Sequence, residues 1–265
     1  MPIVTVETDQ PVSLDVLTCE GPVRHSEGGV SLLFEAGCRP SADDMARLFD
    51  GGGSTARISH RPRQDEGWLE LLSSGLTFDL SGLKPGAGSP VPAPQHVYGF
   101  EQSAPRFQAL EAVEIAPGRH IAAGRAMLPV VRTLAGLAAG LALQAPVVAV
   151  AWHSAGTAMA PAYFARIVMN WLGGGAFPAL GLAALVPAPD GSVASQGLAA
   201  FTGQEFQLEA AQGEARAETI KLAIRVADFL VRHGAMTRSG PIEGGNGLFA
   251  EPSQVGNLVW IWRQG

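Results

Sequence analysis

The stretch VVAVAWHSAGTA, residues 147–158, decides how the chain is read. An apolar run drives into Trp152-His153-Ser154-Ala155-Gly156, and a helical pattern follows. A continuous apolar run of this length, rich in valine, reads as a buried strand. A strand that ends in a serine at a sharp turn into a helix is also how some hydrolases present a nucleophile, so Ser154 has to be weighed as one. The nucleophile elbow reads G-x-S-x-G because its serine occupies a strained turn whose neighbours must be small. Gly156 fits the second small position, but Trp152 puts an indole at the first. The usual triad order also needs a later histidine, and only His233 follows, at the end of a helical pattern. The simpler reading is a strand end whose Ser154 or Thr157 caps the next helix.

Immediately upstream, residues 133–152 carry no charge over a length that can span a bilayer, and they include Gly136-x-x-x-Gly140. Pro146 argues against a span. A helix ending near Gln144 and a buried strand from Val147 account for the segment, with Arg125 and Arg132 on a solvated helix face.

Working outward, the Pro/Gly-rich stretch KPGAGSPVPAPQ opens a linker over residues 84–99, between an N-terminal half (1–83) and a C-terminal half (100–265). Both halves hold a similar order of elements. In front, a strand over 30–37 precedes a helix over 41–49 with Ser41 as its N-cap; Gly51–Gly53, a strand through 56–59, a polar turn and WLELLSSGLTFDL follow. Behind, the strand at 147 precedes a helix over 160–172, Gly173–Gly175, a strand through 180–185, a PAPDGS turn and LAAFTGQEFQLE. A final amphipathic helix over 217–234 places Ile220, Ala223, Ile224, Ala227, Leu230 and Val231 on one stripe, with Lys221, Arg225, Asp228 and Arg232 opposite. NLVWIW reads as a last strand. These signals predict an α+β fold of two related βαββ-containing halves of ferredoxin-like type, with a mainly antiparallel sheet and helices packed on one face.

Composition excludes several functions. Hydrophobic residues make up 47% and charged residues 16%, so the chain has the apolar surface to order itself. Net charge is −6 with no basic run, which argues against a nucleic-acid partner. Cys19 and Cys38 form no C-x-x-C pair, and the acidic N-terminal stretch lacks a secretory leader pattern, so a cytoplasmic location is expected. No membrane partner is expected.

The weak candidates for chemistry are His153, Ser154, Glu205 and Glu243. His153 has no H-x-H, H-E-x-x-H or Cys/His companion, so no metal site is expected. The triple glycines follow helices, whereas phosphate loops precede them, so no cofactor is expected either. In TGQEFQLE the period of two puts Glu205 and Glu209 on one face, with Cα atoms about 13–14 Å apart if extended, too far for a shared reacting centre. That face reads as solvated, or as one wall of an acidic cleft joined by Glu243 or Glu251.

Over roughly residues 110–245 the order of Trp152, Ser154, Phe164, Pro178, Gly197-Leu198, Phe201, Gly203 and Glu205 is similar to an uncharacterised family of bacterial stand-alone proteins. Thr202 interrupts that family's usual Phe-Gly. The resemblance implies an α+β cytoplasmic protein and supplies no catalytic residues. The leading expectation is a non-enzymatic binding or regulatory protein, monomeric or homo-oligomeric, with a protein or small-molecule partner. The alternatives are a small-molecule hydrolase with its site between the halves, and a toxin or immunity-system component.

Overall fold

The computed structural model describes residues 28–50, 56–242, 247–254 and 257–264. Gly51–Gly53, Cys19 and Glu243 lie outside them. Strands β1 (Val30–Phe34), β2 (Ala56–His60), β3 (Trp68–Ser73), β4 (Leu76–Ser81), β5 (His96–Tyr98), β6 (Glu111–Pro117), β7 (Ala149–Trp152) and β8 (Thr157–Met159) form an eight-stranded sheet in the order β2-β3-β4-β6-β1-β7-β8-β5. A six-stranded sheet has the order β12-β13-β14-β11-β10-β9. Its strands are β9 (Ala184–Pro187), β10 (Val193–Gln196), β11 (Glu205–Leu208), β12 (Gly240–Pro241), β13 (Leu248–Pro252) and β14 (Leu258–Arg263). Among the described strands, β5–β8 and β11–β14 pair in parallel and the other pairs are antiparallel. With helices α1 (Ala42–Asp50), α2 (Leu128–Gln144), α3 (Pro161–Leu172), α4 (Ala199–Thr202) and α5 (Arg216–His233), the fold is mixed α+β with two mainly antiparallel sheets.

The strands on either side of the Pro/Gly-rich linker share the first sheet. β6 inserts between β4 and β1, β7 pairs with the other side of β1, and β5 forms within the linker itself. The similar order of elements in the two stretches maps onto different arrangements. β1–β4 all lie in one sheet, whereas β7 lies in the first and β9–β11 in the second.

β1 is buried at every position because it has a strand on each side and a packed layer on each face. Val30, Leu32 and Phe34 face the main core, and Leu33 joins a smaller cluster with Leu110, Ala112, Ala149 and Ala151 on the opposite face. Helix α2 covers the main face and is itself covered by α3 and α4, which is why it is apolar almost all round. Gly136 lets α3 approach, since an added Cβ would lie 3.0 Å from Leu172 Cδ1. The uncharged run is therefore a core helix and a central strand, and among the described residues no helix is long and apolar enough to cross a membrane.

Ser41 caps α1 as its sequence predicts. The Asp44 N–H donates to Ser41 Oγ (3.2 Å), and Ser41 N–H and Oγ–H donate back to the Asp44 carboxylate (2.8 and 2.7 Å). Helix α5 is rotated slightly from its predicted stripe: Thr219, Leu222 and Val226 are buried, while Ile220 and Ile224 are only partly covered. Asp228 is not simply solvated, because its Oδ1 accepts the Phe177 N–H at 2.8 Å and ties the loop after α3 to α5. The strand expected through 180–185 begins later, as β9, because Pro178 to Gly181 form a turn against α3.

The two sheets meet at an aromatic joint. Trp152 from β7 stacks on Phe201 from α4 with ring centroids 6.0 Å apart and planes 18° off parallel. Phe201 meets Trp171 of α3 and Phe177 edge-on, at 5.8 and 4.8 Å. Beside this cluster, Gly197 sits directly on the turn that follows β7. Its φ is +83°, and an added Cβ would come within 2.6 Å of Ala155 Cα and 2.7 Å of Ser154 O. Gly203 also has a left-handed φ, +78°, but open space beside it. Gly203→Ala is therefore expected to cost about 1–2 kcal/mol for the backbone alone. Gly197→Ala should cost about 1–3 kcal/mol more, because backbone blocks the new methyl. Urea denaturation of the two variants checks this, and equal losses would show that Gly197 is not a packing joint.

Candidate functional site

The site is built on the turn 153–156. After Trp152 the chain makes one 3₁₀ turn over His153–Ala155, closed by the Gly156 N–H donating to His153 O at 3.1 Å. Gly156 has φ +61°, and Gly37, which follows β1, has φ +76°. The small residues after these two strands thus serve their turns. The chain then reverses into β8, not into a helix. This corrects the expected capping role: Thr157 Oγ1 donates to Gly181 O at 2.5 Å, and α3 starts at Pro161 after Ala160.

A cleft of about 740 Å³ opens beside this turn. Trp152, His153 and Ser154 form one wall. The others come from the proline segment 92–95, from Arg125 to Val131 around the start of α2, and from Gln196, Ala199 and Ala200 on the second sheet's side, with Asn257. The proline segment is fixed there because Gln95 and His96 N–H groups donate to Gly156 O (2.8 and 3.2 Å) and Gln196 Nε2 donates to Gln95 Oε1 (2.9 Å). The cleft therefore lies where the two sheets meet.

Two buried side-chain atoms of these wall residues, Trp152 Nε1 and Ser154 Oγ, have no hydrogen-bond partner among the described residues. Buried polar groups are nearly always paired, so both atoms are exceptions. Trp152, which excludes the nucleophile elbow on steric grounds, is thus a lining residue.

His153 does not serve Ser154. Its Nε2 shares a 2.8 Å hydrogen bond with Ser31 Oγ on β1, and its Nδ1 lies 3.8 Å from Glu114 Oε1 on β6. Ser31 and Glu114 are cross-strand partners, and Ser31 is 0% exposed. The order Ser–His–Glu resembles a catalytic triad, but the serine is sealed inside the sheet. Ser31 and Glu114 went unpredicted, although Ser31 is the lone polar residue of VSLLF and Glu114 is an acid set between Val113 and Ile115 in EAVEIAP.

Glu205 stands apart from this group. Its carboxylate accepts from Ser195 Oγ (2.5 Å) and from the Leu198 and Ala199 N–H groups (3.2 and 3.1 Å), capping the start of α4. It shapes the wall without lining it. Of the four predicted residues, the structure brings His153 and Ser154 to the cleft and gives Glu205 a supporting role. Among the described residues no group of three or more His, Cys, Asp or Glu is placed to hold a metal ion.

A second hollow of about 590 Å³ lies on the outer face of the first sheet, lined by Trp68, Glu70, Asp79, Ser81, Glu114 and Arg119 among others. Asp79 pairs in register with Glu70. Burial first, and then the Glu70 charge, push the Asp79 carboxyl above the usual carboxylate range, with Arg119 and His120 opposing. A carboxyl raised on folding weakens the fold where it is ionised, and the penalty disappears as the pH falls below both its folded and unfolded values. Asp79→Asn is expected to raise the urea midpoint at about pH 7 and to gain nothing at about pH 2–3. A lower midpoint at neutral pH would reverse this reading of the face.

Comparison with known proteins finds no matching family model, no matching curated protein and no matching solved structure.

Proposed function

We propose that the protein binds a small organic molecule in the cleft between its two sheets, as a binding or regulatory module and not as a hydrolase. The cleft itself carries this reading. Its volume of about 740 Å³ falls in the range of small-molecule sites, and its walls combine proline, alanine and valine surface with a few polar groups. The walls come from segments far apart in sequence and from both sheets, so an occupant would brace the joint and stabilise the folded state in proportion to its binding. Ser154 Oγ has no bond to His153, so no base is set to activate it.

A second reading, hydrolysis through Ser31, His153 and Glu114, is favoured by the 2.8 Å bond between Ser31 and His153. Against it stands Ser31 itself, at 0% exposure.

A thermal-shift screen with a library of small organic molecules separates the two. Binding predicts compounds that raise the melting temperature in a saturable way. Filling the cleft by Ala200→Phe, or at its exposed rim by Ala126→Trp, should remove the effect while the circular dichroism spectrum is unchanged. A fluorophosphonate probe should leave Ser31 and Ser154 unlabelled, and aryl ester hydrolysis should not exceed buffer. A library without hits, or hits that both variants retain, overturns the binding reading. Labelling of Ser31 establishes the second.

A further inference from the structure

We infer that the occupant of the cleft is a neutral ring that carries an N–H donor beside a C=O or ring-nitrogen acceptor, the cyclic amide or amidine edge of a nucleobase or a lactam. This rests on the small-molecule reading above and specifies its ligand.

The first observation is a pair of carboxamides. Gln95 of the proline segment and Gln196 at the end of β10 both line the cleft, and Gln196 Nε2 donates to Gln95 Oε1 at 2.9 Å in a solvent-exposed bond. That bond leaves the Gln95 Nε2 donors and the Gln196 Oε1 acceptor without a partner among the described residues. Neighbouring side chains thus offer a donor and an acceptor together, and carboxamides recognise a base edge through such a combination. The pair packs beside Gly156, where an added Cβ would lie 3.4 Å from Gln196 Nε2 and 3.6 Å from Gln95 Cδ. A ring edge binding there meets groups that already hold each other, so less order has to be imposed on them. Asn257, also on the lining and exposed, adds a third carboxamide, and its side chain has no hydrogen bond among the described residues.

The second observation is charge. No Asp or Glu lines the cleft among the described residues. The two basic lining residues are already engaged. Arg125 has an interaction of its own, and His153 bonds Ser31 Oγ through Nε2 with Glu114 beside its Nδ1. An ion leaving water for this lining finds no uncommitted counter-charge, whereas a neutral amide edge exchanges hydrogen bonds with water for hydrogen bonds with the glutamines.

The third is the apolar remainder. Pro92, Pro94, Val131, Ala199 and Ala200 give the lining surface without polar demands, which suits the two faces of a ring whose polarity lies at its edge.

The test uses three probes, 1-methyluracil, 9-ethyladenine and 2-piperidone. Each is set beside the relative that keeps the ring and loses the donor: 1,3-dimethyluracil, 6-dimethylamino-9-ethylpurine and 1-methyl-2-piperidone. ¹⁵N–¹H spectra of the full chain follow the side-chain NH₂ groups of Gln95 and Gln196, assigned by their loss in Gln95→Met and Gln196→Met. At least one donor-bearing probe is expected to shift these resonances and to bind about ten times more tightly than its methylated relative. Each methionine variant should weaken that probe about tenfold while the rest of the spectrum stays that of the folded chain. Binding of either base assigns the site to nucleobases, and binding of the piperidone alone assigns it to lactams. The comparison with methylated relatives is made on the unaltered chain, so it decides the matter even if a variant unfolds. A methylated relative that binds as tightly, or undiminished binding in both variants, overturns the amide edge while the cleft reading stands. If no probe binds, the ligand class falls, and the cleft reading falls with it only if the thermal-shift screen is empty as well.

Discussion

The contact on which the rest depends is the seat of Gly197 against the backbone of Ser154 and Ala155, with the Trp152–Phe201 stack beside it. It is the place where a strand end of the first sheet meets a helix start of the second. Aromatic pairs in this geometry contribute about 0.5–1.5 kcal/mol each beyond the area they bury. The pairs among Trp152, Trp171, Phe177 and Phe201 thus give the joint a stiffness that scattered aliphatic contacts would not. Glu205 completes the seat from behind by satisfying the first N–H groups of α4, a short helix that would otherwise leave them buried and unmet. The turn 153–156 is therefore clamped on one side, and its other side is held open as the cleft wall.

Much of the local structure was legible because it is written in local chemistry. Ser41 and Asp44 announce α1, Pro146 separates a helix from a strand, and the 3.6-residue period of 217–234 marks α5, whereas WLELLSSGLTFDL, read as one closing element, is the β3–β4 hairpin. The buried stripe on α5 is turned from the expected one, because it runs through Thr219, Leu222 and Val226 and leaves Ile220 and Ile224 at its margin. Thr219 is buried, and its hydroxyl donates to Glu214, which also holds Arg263 and has its carboxyl kept below the usual range by that guanidinium. What the sequence did not show was long-range pairing. β8 has three residues and exists because β7 and β5 flank it. The insertion of β6 between β4 and β1 turns the expected front half into part of a sheet shared across the linker.

The site divides in the same way. The indole of Trp152, which argues against a nucleophile turn in the sequence, is what the aromatic joint uses. His153 was a weak candidate because no partner lies near it in sequence; its partners, Ser31 and Glu114, are two strands that only the sheet brings together. A sequence pattern reports neighbours along the chain, whereas this site is assembled from neighbours across it.

The central position of β1 has a consequence for how the protein is made. Its VSLLF segment is the first strand of the described chain to leave the ribosome, yet both of its partners lie beyond residue 110. Through that interval an apolar strand has neither edge paired and no helix above it, because α2 is also still to come. Such a segment is prone to pair with other chains. The nascent protein must therefore either shelter this strand or be translated fast enough that β6 and β7 arrive before a competitor does.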